Sequence, residues 1–382
     1  MFARLASSPA GLPLALPPTW PGNVWWHWLV FTIIAIVFFL GSVILFIYME
    51  RRVLAKMQAR IGPNRVGPFG LLQAIADAVK VLLKENVTPA GADKIVYWLA
   101  PAVGFAPVLM VLAVVPFGDG AVLADVNIGI LYVLAVGSLS SIGVFMAGWS
   151  SNNKYAVISA MRMVAAVISY EMPIVLVIAS VLLMANSALP ANAASMSLNS
   201  IVLAQQNYPM ILIQPLAFFL MFVAGCAEIN RSPFDLMEAD SEIVAGFHTE
   251  YTGMKFAMFY LAEYGEAVVM STVIATLFLG GWRGPFLPPW LWLILKVFFV
   301  FFLMIWTRTT LPRVRIDQLM ALAWKFLFPL ALINLILTAF EVLANPNGVP
   351  WYFIFVNIAV GAILVLLMSR LYKVGGGRLA VE

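Results

Sequence analysis

Cysteine is almost absent from this chain. Of 382 residues only Cys226 is a cysteine and only His27 and His248 are histidines. One thiol excludes an internal disulfide and a cysteine-ligated cluster within the chain. The two histidines lie far apart in sequence, and the topology derived below sets them on opposite sides of a membrane, which excludes a bis-histidine haem within one subunit. Any redox chemistry must therefore receive its electrons from a partner. Charge is also scarce. Only 10% of residues are Asp, Glu, Lys or Arg, 63% are hydrophobic, and the mean hydropathy is +0.97. That composition excludes an ordinary soluble domain and leaves no room for a separate water-soluble one.

What is present is a series of apolar runs of about 20 residues, the length that crosses roughly 30 Å of hydrocarbon. Nine occur, near 29–49, 98–117, 128–148, 157–185, 210–228, 256–280, 290–307, 324–343 and 351–369. The expected fold is all-α: a polytopic membrane protein of about nine transmembrane helices in one domain over 29–372. Residues 1–28 read as an exposed, proline-interrupted tail with an interfacial belt of Trp20, Trp25, Trp26 and Trp28. Residues 373–382 form a second tail. The polar connections are 50–97, 228–255 and 307–325.

Basic residues orient the bundle. If 50–97 faces the cytoplasm, nineteen of the twenty-two Lys and Arg fall on that side, leaving Arg4 and Arg283 outside and Lys296 within a span. This asymmetry places the N-terminus outside and the C-terminus inside. It also accounts for the net charge of +4 without a nucleic-acid partner.

Each connection has its own character. After Gly62-Pro63-Asn64 and Gly67-Pro68, which signal turns, Leu71, Leu72, Ile75, Val79, Leu82 and Leu83 recur at helical spacing. That pattern predicts an amphipathic helix lying in the membrane surface. The segment 228–266 holds eight of the eighteen carboxylates: Glu228, Asp235, Glu238, Asp240, Glu242, Glu250, Glu263 and Glu266. Ser232 and Pro233 read as the N-cap and first residue of a helix carrying Asp235, Glu238 and Glu242 on one face. Glu263 and Glu266 stand one turn apart at the start of the next span. The 307–325 connection carries Arg308, Arg313, Arg315 and Lys325, a surface suited to a soluble partner or anionic headgroups. Within the fourth span, Glu171 is followed by Pro173, which removes a backbone donor from the turn beginning at Ser169. An acid at that depth must be paired, hydrated or protonated, which are the conditions for moving protons. Glu341, near the outer end of the eighth span, is expected to snorkel.

The motifs ERRVLAKMQARIGPNRVGPFG with QAIADAVKVLLKE, SYEMP, AEINRSPFDLMEADSEIVAGFHTEY, FAMFYLAEY and RTTLPRVRIDQLMALAWK occur in that order between about Glu50 and Pro329. Together they resemble the quinone-site membrane subunit (subunit 1, or H) of respiratory complex I, in its bacterial form. The resemblance implies a subunit of a proton-pumping NADH:quinone oxidoreductase in the bacterial inner membrane. It would have no redox centre of its own: quinone is the substrate, and iron–sulfur clusters and FMN sit on partner subunits. The implied partners are the peripheral-arm subunits that close the quinone chamber, one carrying the terminal cluster, together with small and antiporter-like membrane subunits. The implied quinone-binding residues are Arg51, Gln58, Arg60, Phe256, Phe259 and Tyr260. The implied proton-coupling residues are Glu171, Glu228, Asp235, Glu238, Asp240, Glu242, Glu263 and Glu266. Asp240 stands where the family pattern has Glu, and Glu266 is an acid where some relatives have an amide. Alternatives compatible with the residues are the homologous subunit of a membrane-bound hydrogenase or ferredoxin-linked complex, a stand-alone cation/proton antiporter and a structural anchor.

Overall fold

A computed structural model describes residues 25–118, 121–189, 195–236, 243–345 and 353–371. Apolar backbone in lipid must satisfy its own N–H and C=O groups, and helices do so within one segment. The described residues accordingly form helices and connecting turns, with no named strand among them. The helices are α1 (Trp25–Met57), α2 (Gln73–Leu82), α3 (Lys94–Val111), α4 (Gly129–Ser150), α5 (Lys154–Ala188), α6 (Leu198–Ala204), α7 (Met210–Ile213), α8 (Pro215–Glu228), α9 (Gly253–Phe278), α10 (Pro289–Thr310), α11 (Ile316–Ala321), α12 (Phe328–Ala344) and α13 (Phe353–Leu371). A π-helical turn, Leu322–Leu327, joins α11 to α12.

Among the described residues, eight segments are long and apolar enough to cross a membrane. The run at 210–228, the fifth of the nine expected spans, is instead divided. Gln214 leaves helical geometry (φ −126°, ψ 65°), α7 ends before it, and α8 starts at Pro215 with only 14 residues. Proline has no N–H to continue α7 and is preorganised to begin the next helix. Pro173 has the opposite outcome. Helix α5 runs through it for 35 residues, because the surrounding core buries Tyr170, Ile174 and Val177 on the same helix.

Helix α1 extends past the apolar run to Met57, so Glu50, Arg51 and Arg52 are helical rather than part of a loop. The loop that follows needs glycine: Gly70 has φ +80°, and a Cβ there would lie 2.2 Å from the Pro63 carbonyl oxygen. It leads into α2, where Leu71, Leu72, Ile75, Val79, Leu82 and Leu83 are all exposed. Exposed apolar side chains on a short helix beside membrane spans match the in-plane placement read from the sequence. Helices α3 and α4 pack closely because Gly143 faces Gly104; a Cβ on Gly143 would fall 2.5 Å from the Gly104 nitrogen. That close approach fixes one wall of the site described next.

Candidate functional site

The end of α1, the turn after α8, the start of α9 and the end of α10 converge on Glu50. Its carboxylate accepts from Arg231 Nη1 at 2.7 Å and from Arg308 Nη1. Arg231 also lies 3.4 Å from Glu263 and sits over the Tyr264 ring at 4.1 Å. Arg231 and Glu50 are 4% and 2% exposed, so a buried ion pair stands at the centre of a network of two acids and two bases. Removal of charge from water opposes ionisation of Arg231. The adjacent Glu50 and Glu263 carboxylates outweigh that burial and hold its guanidinium well above the usual range. Nearby, Arg313 Nη2 donates to Asp235 at 3.0 Å, and the Val314 amide donates to the Pro233 carbonyl at 3.0 Å.

These contacts explain why residues 231–236 do not start a helix. The expected N-cap at Ser232 is replaced by a cis Ser232–Pro233 peptide within consecutive turns. Arg231 is drawn toward Glu50, and Asp235 is drawn across to the 307–325 connection. Glu238, Asp240 and Glu242, and with them the expected acidic helix face, lie outside the described residues.

Beside the ion network lies a pocket of about 40 Å³. Its walls include the aromatics Phe256 and Tyr260, the acids Asp235, Glu263 and Glu266, and Ser140. A water needs roughly 10–15 Å³ by this measure, so the pocket admits a few waters and not a ring system. A second cavity of about 70 Å³ continues inward and shares Ser140, Ile229 and Glu266 with the first; Glu228 lines it. Ser140 is within hydrogen-bond reach of Glu266. Glu228 is the last residue of α8, and its Oε2 is buried with no hydrogen-bond partner among the described residues. Glu171 on α5 is near enough for its charge to act on Glu228. The environments of Glu263 and Glu266 therefore diverge: the first is ion-paired to Arg231, whereas the second faces a serine and water-sized space.

At the rim, Arg51 pairs with Asp77 on α2 and lies close to the side chain of Tyr260. Arg52 donates to the Phe69 carbonyl at 2.6 Å and faces the Phe69 ring at 5.5 Å. These contacts fasten α2 and its loop to α1. Burial raises the Asp77 carboxyl, but hydrogen bonds from Arg51 and Gln73 outweigh it and hold the group below its usual value. A depressed folded value means the pairing contributes fully above the unfolded carboxylate value of about 3.9 and is lost as pH falls below it. Both partners are more than a third exposed, so the expected effect is small. Asp77→Asn should weaken the attachment by about 1 kcal/mol or less. At neutral pH that reads as at most about a five-fold faster proteolytic cleavage of the 58–72 loop, and cleavage independent of Asp77 would contradict the pairing.

The family model for NADH dehydrogenase matches residues 30–339. A protein of Dehalococcoides mccartyi, named as the H subunit of NADH-quinone oxidoreductase, is 55% identical over 360 residues, covering 94% of this chain and 99% of that one. The chain belongs to the H-subunit family of NADH-quinone oxidoreductase. The H subunit of Brevibacillus brevis is 46% identical over 336 residues, 87% of this chain and 97% of its own. An H-type subunit of Syntrophobacter fumaroxidans, the one numbered 2 in that organism, is 49% identical over 306 residues, 78% and 90% respectively. The chain is thus a membrane subunit of complex I.

Within this family frame, the structure gathers Arg51, Phe256 and Tyr260 at the rim and Asp235, Glu263, Glu266 and Glu228 along the two cavities. Gln58 and Arg60 stand apart from that group: Arg60 Nε donates to Gln58 Oε1 at 2.7 Å, and both are exposed. Phe259 is 5% exposed and packs edge-on against Tyr251 and Phe247, so part of its role is core packing. Sequence reasoning missed Glu50. The available signal was an acid closing the apolar run LFIYME, with Phe46 and Leu54 at i−4 and i+4 and hence no cation one turn away. Such an acid requires a partner from elsewhere in the fold.

Proposed function

We propose that this chain forms one wall of a quinone chamber and couples quinone reduction to proton translocation through its carboxylates. The reading is carried by one juxtaposition: the pocket walled by Phe256 and Tyr260, next to Arg51, is also walled by Asp235, Glu263 and Glu266. The pocket is water-sized, so the quinone headgroup would sit at its rim, between this chain and peripheral-arm subunits that close the chamber. One of those subunits would carry the terminal iron–sulfur cluster, and further partners would be the small and antiporter-like membrane subunits.

Reduction of a quinone to a quinol takes up two electrons and two protons. The electrons come from the partner subunits. This chain's part is to steer the headgroup with Arg51, Gln58 and Arg60 and to meet the proton demand from the pocket. Withdrawal of protons at the rim leaves net negative charge on the pocket's waters, beside Asp235 and Glu263, which are already paired to Arg313 and Arg231. The change passes by water and like-charge coupling to Glu266, Glu228 and Glu171, with Glu238, Asp240 and Glu242 assigned to the same path. Unpaired carboxylates in low dielectric change protonation readily when a neighbouring charge changes. The charged connections face the cytoplasm of a bacterial inner membrane, the N-terminus lies outside, and the exposed leucines of α2 rest on the lipid surface.

Arg60→Met tests the steering role. Assembly should be normal, because Arg60 is exposed and its side chain bonds only to the neighbouring Gln58 among the described residues. The KM for quinone should rise several-fold. An unchanged quinone KM in an assembled complex removes Arg60 from the chamber.

A further inference from the structure

At the end of the bundle opposite the ion network, a second polar site lies where α7 gives way to α8. The break leaves the Ile213 carbonyl free of its helical donor. Asn357 Nδ2, on α13, donates to that carbonyl at 2.8 Å and to Glu341 Oε2, on α12, at 3.2 Å. Gln214 Nε2 donates to Thr338 Oγ1 at 3.1 Å, and Asn334 Nδ2 donates to Ser180 Oγ at 3.1 Å. Gln214 Oε1 is buried and has no hydrogen-bond partner among the described residues. Gln214, Glu341 and Asn357 line one cavity of about 20 Å³, which is room for a single water.

A carboxylate and an unsatisfied carbonyl inside lipid are each costly and demand a donor. One water donating to both would satisfy them. The polar groups of the site come from α5, the 213–215 break, α12 and α13. Helix α12 begins at the charged end and carries Glu341 on its final turn, so the carboxyl lies close to the opposite aqueous face. Among the described residues, no second titratable or charged group lines this cavity, whether from α5, the 213–215 break, α8 or α13. Residue 341 also falls just beyond the stretch matched by the family model.

We propose that Glu341 carries an exchangeable proton, bridged by one water to Gln214 Oε1, and exchanges it with the aqueous phase opposite the charged connections. A metal cation suits the pocket less well, because the Asn357 amide already points its donors at the Ile213 carbonyl and the carboxylate. On the orientation proposed above, that phase is the outer one.

The test is carbodiimide labelling of the assembled complex in vesicles. The reagent adds across the O–H of a protonated carboxylic acid in apolar surroundings, with no leaving group, and mass spectrometry locates the adduct. Protease access to the 58–72 loop identifies the charged end independently, so an inverted orientation and a missing site give different results. The expected result is labelling at Glu341 that falls as pH rises in the compartment opposite that loop and ignores pH on the loop side. Glu341→Gln should abolish that adduct. Gln214→Met, which removes the water's second acceptor, should move half-labelling upward by about one pH unit. The proposal is overturned by absence of label at every pH, by titration from the loop side, by sodium ions protecting the residue, or by an unchanged titration in assembled Gln214→Met. Should that variant not assemble, the sidedness and sodium arms decide on the wild-type chain.

Discussion

Arg231→Met is expected to destabilise the protein by about 3–5 kcal/mol, the range for removing one member of a buried ion pair. Arg231 is 4% exposed and holds Glu50 at 2.7 Å and Glu263 at 3.4 Å. Methionine fills a similar volume but leaves the buried Glu50 carboxylate with Arg308 as its one paired base among the described residues. The destabilisation should appear as loss of assembled complex and earlier denaturant unfolding of what remains. The double variant Glu50→Gln/Arg231→Met separates charge from shape, because it removes the stranded carboxylate along with its partner. It should be clearly more stable than Arg231→Met alone. Equal stability of the single and double variants would mean that the two residues do not act on one another.

Glu228→Gln should leave assembly near normal and lower proton translocation at least about ten-fold per quinone reduced. The amide matches the carboxyl in size and can still hydrogen-bond, but it cannot give up or accept the proton that the proposed relay requires. Glu228 is suited to show this cleanly, because its buried Oε2 has no partner to lose among the described residues. Glu266→Gln, one cavity wall away, should show the same separation of pumping from assembly. Full pumping in both variants would exclude the two cavities as the path. Simultaneous measurement of quinone reduction and internal acidification in proteoliposomes provides the ratio.

Much of this arrangement could be read from residues alone because lipid is a restrictive solvent. Where water cannot satisfy the backbone, an apolar run of the right length tends to a helix, and eight of the nine expected runs form such spans among the described residues. The amphipathic helix α2 was legible from its pattern: the leucines and the Asp and Lys residues of this segment fall on opposite sides at a 3.6-residue period. The turn at 231–236 was not legible. Ser-Pro followed by acids is a sound local signal for a helix start, but it lost to contacts with Glu50 and with residues 313–314, which lie far away in sequence. The ion network has the same origin: Arg231 and Glu50 are 181 residues apart, beyond the reach of any local period. Glu341 illustrates a partial success. Its position near the end of a span was correct, but a carboxylate expected to snorkel freely is instead engaged by Asn357.

The central claim is that a redox ligand sits against this polypeptide and is felt by its acids. Photoaffinity labelling of the assembled complex with a quinone carrying its reactive group on the headgroup tests this most directly. Adducts are expected on peptides containing Arg51 to Arg60 and Phe256 to Tyr260, competed away by excess quinone. Adducts confined to other subunits, with these two peptides unlabelled, would contradict it.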